Sequence, residues 1–142
     1  MSTFGKLTKD METGVEKVDN QHKELIVKMN ELVALASQAF SKEKAEEMLE
    51  FLGGYVVQHF ADEEELQIEC NYPKYELHKK QHQDFVELFL KKQKEFHEEG
   101  NSAKFMMDLI LVASNWVIKH IKGHDVEFGR YYKKTMINKQ TQ

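Results

Sequence analysis

The chain has 142 residues, a formal charge of −4 and a pI near 6.0. That is enough chain to bury a real core, and neither a repeat nor a Ser/Gly-rich linker divides it, so one domain over residues 1–142 is expected. The charge gives no global pull toward nucleic acid or anionic membrane, no apolar run approaches the ~20 residues of a membrane span, and the polar stretch Met1–Asp10 lacks a signal peptide's apolar core; a soluble, cytoplasmic protein is expected.

An N-terminal arm over residues 1–18 leads into the first helix, predicted over 20–40. Its apolar series Val18, Leu25, Ile26, Met29, Leu32, Val33 and Ala36 keeps a helical period, with Asp19 as N-cap. Ser41 caps a second helix over 42–70, whose stripe runs through Leu52, Val56, His59, Phe60 and Glu63 and stops before Asn71-Tyr72-Pro73. Within it, Gly53-Gly54 costs on the order of 1 kcal/mol per glycine, which reads equally as a close helix approach or as a tolerated weakness. A third helix, over 74–99, carries His78, His82, Phe85 and Phe89 on one face and ends at Gly100. Ser102 opens a fourth over 103–132, repeating Phe105, Leu109, Ala113, Trp116, Val117, His120 and His124. Four such helices on short connections predict an all-α, up-down-up-down four-helix bundle preceded by its arm. The lone Cys70 reads as a small buried or half-buried apolar residue, and His97 as exposed at a charged helix end.

Six of the seven histidines, His22, His59, His78, His82, His120 and His124, fall within these helices together with Glu63 and Asp125. Residues four apart share a helix face, so His59 with Glu63 and His78 with His82 each aim two ligands at one point. Burying so many polar groups without a partner would cost ~1–3 kcal/mol each, so the pattern reads as a metal site. Imidazole and carboxylate without a thiolate motif suit iron, zinc, copper or manganese, and the ligand number exceeds what one tetrahedral zinc uses. Two metals fit better than one. Lys79, Lys80 and Gln81 separate His78 from His82, leaving no glutamate for a zinc-protease motif. A ferritin-type site fails as well, because it needs two Glu-x-x-His repeats. Asp62, Glu64 and Glu65 read as a solvated acidic edge.

The strings Val18-Asp19-Asn20-Gln21-His22-Lys23, His59-Phe60-Ala61-Asp62-Glu63-Glu64, Tyr72-Pro73, His78-x-x-x-His82 and Trp116-x-x-x-His120-x-x-x-x-Asp125 resemble the hemerythrin family, in particular its single-domain bacteriohemerythrins, from about Gly14 to Asp125. The resemblance implies a non-heme di-iron centre with a bridging oxo or hydroxo group that binds dioxygen reversibly. His78, His82 and His120 would hold one iron, His22 and His59 the other, and Glu63 and Asp125 would bridge them. Five imidazoles, two bridging carboxylates and a shared oxygen leave about one of some twelve octahedral positions open, on the two-histidine iron. Trp116 and Val117 would line the oxygen pocket, with Val117 one methylene short of the family's usual leucine. Leu7 stands where bacterial members often carry tryptophan, which leaves the packing of the arm open.

At the end of the fourth helix, periodicity and resemblance disagree. At about 100° per residue, His124 lies about 40° from His120 and Asp125 about 140° away, so periodicity pairs the two histidines. The family pattern selects Asp125, which a local widening of the helix would bring inward. The function expected is oxygen storage, delivery or sensing by a protein that is not an enzyme; the alternatives are an oxidase- or peroxidase-type detoxification enzyme and a metal store. Dioxygen is the implied ligand, and an electron-donating or oxygen-accepting protein is an open partner.

Overall fold

A computed structural model describes residues 5–38, 40–100 and 102–140. Met1–Phe4 of the predicted arm and Ala39, near the end of the first predicted helix, lie outside the described residues. A short 3-10 turn, Lys9–Met11, precedes α1 (Glu16–Gln38), α2 (Lys42–Glu69), α3 (Tyr75–Glu95), α4 (Ala103–His120) and α5 (Val126–Gln140). Two wider π turns interrupt this order: Phe96–Gly100 continues α3, and Ile121–Asp125 joins α4 to α5 without leaving helical backbone. The predicted fourth helix is thus two α segments on a widened joint, and it runs to Gln140 rather than fading near Tyr132. Phe128, Tyr131 and Tyr132 pack with Cys70 and Tyr72, and Lys139 reaches the Glu69 carbonyl at 3.4 Å, so the extension rests on the end of α2.

α1 packs on α2 and α4, α2 on α3, and α3 on α4, so chain neighbours are also spatial neighbours around the ring. This is the up-down-up-down four-helix bundle. Leu25, Met29, Leu32, Leu49, Leu52, Phe85, Phe89, Leu109 and Ile110 fill its core, as their helical spacing requires. Among the described residues, no helix is long and apolar enough to cross a membrane.

The helix ends follow from local chemistry. Ser41 and Ser102 accept from the backbone N–H of Lys44 at 3.3 Å and Phe105 at 3.4 Å, as capping residues do. Asp19 is not a cap. α1 starts earlier, at Glu16, and Asp19 turns back to accept from the Thr13 N–H at 2.8 Å, the Thr13 hydroxyl at 2.8 Å and the Gly14 N–H at 3.1 Å. The residue therefore anchors the arm, whose Gly14 adopts a φ of +83°. Met11 is buried in the core and Leu7 packs against it, while the Thr13 carbonyl fills the space that a Cβ at Gly129 would need. At the other end of α2, Asn71 takes a left-handed φ of 55°, with N–H bonds from Asn71 to Ile68 and from Tyr72 to Gln67 at 3.1 and 2.9 Å. That closure, a Schellman motif, turns Tyr72 inward.

The two adjacent glycines have different reasons to be there. A Cβ at Gly53 would stand 3.1 Å from Phe89 Cε1 on α3, whereas one at Gly54 would meet nothing within 4 Å. Gly53 therefore marks a close approach, and Gly54 a tolerated weakness. Gly54→Ala is expected to add ~0.5–1 kcal/mol and raise the thermal midpoint by a few degrees, because alanine loses less chain entropy on folding. Gly53→Ala should give no such gain; equal gains in both variants would contradict the close approach.

Candidate metal centre

α1 supplies His22, α2 supplies His59 and Glu63, α3 supplies His78 and His82, and the α4 end supplies His120; each is buried. Asp125 comes from the π turn Ile121–Asp125 and is 1% exposed. One extra residue in the turn advances the backbone past α-helical register and carries Asp125 to the inner face. His124 is left at the edge, half-buried, with its Nε2 3.2 Å from the Gln81 amide nitrogen. The widening that the sequence pattern called for is present, and it brings in Asp125 rather than His124.

The ligand atoms fall into two overlapping groups, each within 4.8 Å: Glu63, His78, His82, His120 and Asp125, and His22, His59, Glu63 and Asp125. Both carboxylates are shared. Seven side chains proposed from sequence therefore converge, and the cluster is able to hold metal ions.

The contacts inside the cluster are ones that protons cannot satisfy. His78 Nε2 lies 2.7 Å from Glu63 Oε1, 2.9 Å from Asp125 Oδ1 and 2.9 Å from His120 Nε2. A ring nitrogen carries at most one hydrogen, so it cannot serve all three neighbours. His22 Nε2 lies 3.1 Å from Asp125 Oδ2. Yet both ring nitrogens of His22, both Glu63 oxygens and His82 Nε2 are buried without a hydrogen bond. Buried polar atoms left this way cost ~1–3 kcal/mol each, and a positive ion among lone pairs removes that cost. The donor set fits a metal: imidazole and carboxylate without thiolate is what iron, manganese or zinc accept.

Electrostatics keep two of the five rings, His59 and His82, ready as neutral donors. Burial, reinforced by the charge of His22, lowers His59 to about 3, and burial with His78 and His120 lowers His82 to about 2. His78 departs in the other direction. Burial opposes its cation, but the Asp125 and Glu63 carboxylates that it faces hold it up at about 9. Burial and the nearby Asp125 charge push Glu63 well above the usual carboxylate range. Burial works the same way on Asp125, but His120, His22 and His78 outweigh it and hold Asp125 well below that range.

Aromatic rings wall the cluster on one side. Phe60 stacks on His82 at 3.9 Å and 4°, and Trp116 on His120 at 4.5 Å and 13°, with Phe85 4.5 Å from Trp116. Val117 is buried in the core, on the turn before His120.

Two residues assigned to a solvated edge are not there. Glu64 Oε2 lies 2.8 Å from His82 Nδ1, and Asp62 accepts from the Gln21 amide at 2.8 Å. Gln21 Oε1 in turn lies 2.6 Å from His59 Nδ1. Glu65 alone of the three is exposed. The usable signal was adjacency: a metal-bound imidazole needs an acceptor for its second nitrogen, and Gln21, Asp62 and Glu64 flank His22 and Glu63 in the chain. Cys70 is buried with its thiol toward the Gln67 carbonyl, and His97 is exposed and pairs with Glu46 at 2.7 Å, as their sequence positions implied.

These features define a class: a four-helix bundle built around a buried, shared-carboxylate cluster able to hold metal. A family model described as "Hemerythrin HHE cation binding domain" matches residues 13–131. A bacteriohemerythrin of Stenotrophomonas maltophilia (strain R551-3) is 30% identical over 125 residues, covering 87% of this chain and 78% of that protein. A myohemerythrin of Theromyzon tessulatum is 31% identical over 113 residues, covering 80% and 81%. A crystal structure of wild-type hemerythrin superposes with a TM-score of 0.75 at 27% identity, covering 84% of this chain and 90% of that one. The chain belongs to the hemerythrin family.

Asp125→Ala is expected to lower ferrous-ion affinity by more than about 100-fold, beyond the ~10–100-fold typical of residues one step removed from a metal. His124→Ala should leave uptake nearly unchanged. Equilibrium dialysis of both variants checks this, and the reverse ranking would contradict the role given to the π turn.

Proposed function

We propose that this chain binds dioxygen reversibly at a centre of two non-heme irons joined by an oxo or hydroxo bridge, and that it acts as a binding protein rather than an enzyme. His78, His82 and His120 would hold one ion and His22 and His59 the other, with Glu63 and Asp125 spanning both. When bound, the iron pair supplies the electrons and the open coordination position that dioxygen requires. The single observation carrying this reading is the sharing of both buried carboxylates between one group with three histidines and another with two. Unequal histidine numbers leave the two-histidine position short of a protein ligand, and so open to a small molecule.

The remaining residues work by exclusion and orientation. Phe60 and Trp116 cover His82 and His120 with apolar rings, and Phe85 packs against both, keeping water and its protons from that side of the cluster. Glu64 faces His82 Nδ1 and holds that ring in one orientation. In this reading Trp116 and Val117 belong to the oxygen pocket, Val117 filling it less fully than leucine would.

Iron-reconstituted protein should contain about two irons per chain. Its reduced form should gain a charge-transfer band in air and lose it under argon through repeated cycles. Steady consumption of dioxygen or peroxide with an added reductant would instead mark an enzyme, and uptake of iron far beyond two per chain a store.

Val117→Leu restores roughly one methylene beside the pocket and is expected to slow decay of the oxygenated form severalfold, followed by that same band. Unchanged or faster decay would remove Val117 from the pocket.

A further inference from the structure

Gln21, on α1 one residue before His22, spans the gap between a buried ring and a half-buried carboxylate. Its Oε1 lies 2.6 Å from His59 Nδ1, and its Nε2 donates to Asp62 Oδ2 at 2.8 Å. Asp62 is itself held: Gln58 donates to its Oδ1 at 2.9 Å, and Lys17 stands 3.9 Å from its Oδ2. The Gln21 backbone carbonyl accepts from the Tyr55 hydroxyl at 3.2 Å, which ties this turn of α1 to α2.

The direction of the chain follows from donor chemistry. An ionised carboxylate only accepts, so the amide NH₂ must face Asp62 and the amide oxygen must face His59. That oxygen also only accepts, so the proton on His59 sits on Nδ1. The lone pair is left on Nε2, which lies 3.5 Å from Glu63 Oε2 and points into the cluster. A half-buried aspartate thereby selects the tautomer of a buried histidine on the same helix.

The second metal position is backed differently. His82 Nδ1 faces the Glu64 carboxylate at 2.8 Å, an anion, where His59 faces a neutral amide. A carboxylate partner makes an imidazole a stronger donor than an amide partner does. The asymmetry in histidine number is thus matched by an asymmetry in what stands behind the histidines.

We propose that Gln21 is a positioning residue for the two-histidine metal position: its oxygen holds the Nδ1 proton of His59 and leaves Nε2 as the donor, while Asp62 keeps that oxygen turned inward. The proposal rests on the two-ion reading above. Removing the acceptor should weaken one metal position, and an anionic acceptor of the same reach should restore it once residue 62 can donate to it.

Cobalt(II) titration of metal-free protein, followed by calorimetry and the visible spectrum, tests this. Wild type should take two ions per chain. Q21L should bind one ion as before and the other ~10–100-fold more weakly. Q21E sets a carboxylate against Asp62 and should stay weak by itself, while Q21E with D62N, whose amide can donate to the new carboxylate, should recover wild-type affinity. In zinc(II)-loaded wild type, ¹⁵N NMR should show His59 protonated at Nδ1, a result that needs no variant to fold. Two ions in wild type with both steps unchanged in Q21L, or His59 protonated at Nε2, would overturn the role of Gln21 alone. Fewer than two ions in wild type would overturn the two-ion reading and this proposal with it.

Discussion

The structure turns on a shortage of protons. Five buried imidazoles and two buried carboxylates converge until their atoms lie within 4.8 Å of one another in each group. A neutral imidazole carries one N–H and a carboxylate carries none, so the atoms facing inward are mostly lone pairs. His78 Nε2 alone confronts three partners, and both Glu63 oxygens have no hydrogen bond. Positive charge at the centre reconciles such a set. Two of the imidazoles, His59 and His82, have the outer nitrogen occupied elsewhere, and this is where Gln21 and Glu64 stand. The bundle's apolar rows and end caps supply the rigidity that holds the lone pairs together.

Register is the second constraint. An α-helix offers the inner face to residues three or four apart, and Asp125 stands five beyond His120. The π turn at Ile121–Asp125 absorbs that difference by a local change in backbone pitch. A shared carboxylate can span two cations and offset their charge, which His124 could not do, so the irregular turn exchanges regularity for chemistry. Clasping of the arm at Gly129 and the packing of Phe128 on Tyr72 hold α5, the segment beyond that joint.

Much of this was readable in the chain. The helical spacing of Leu25, Met29 and Leu32, or of Phe85 and Phe89, is decided by burial on one face, and burial leaves a periodic trace. His59 with Glu63 and His78 with His82 share that trace, while the caps Ser41 and Ser102 are legible from their own side-chain chemistry. What periodicity could not place was whatever depends on contacts between helices. Asp19 holds the arm through Thr13 and Gly14, a tertiary contact, and so α1 begins before it. Asp62 and Glu64 look like solvated acids from their own helix, and only the positions of α1 and α3 turn them toward Gln21 and His82. Asp125 was recoverable from resemblance alone, because its local geometry breaks the rule on which periodicity rests.

Anomalous diffraction at the iron absorption edge from iron-loaded crystals bears most directly on the central claim. The account predicts two peaks, one bounded by His22 and His59 and the other by His78, His82 and His120, with Glu63 and Asp125 between them. A single peak, or one bounded by His124 in place of Asp125, would contradict it.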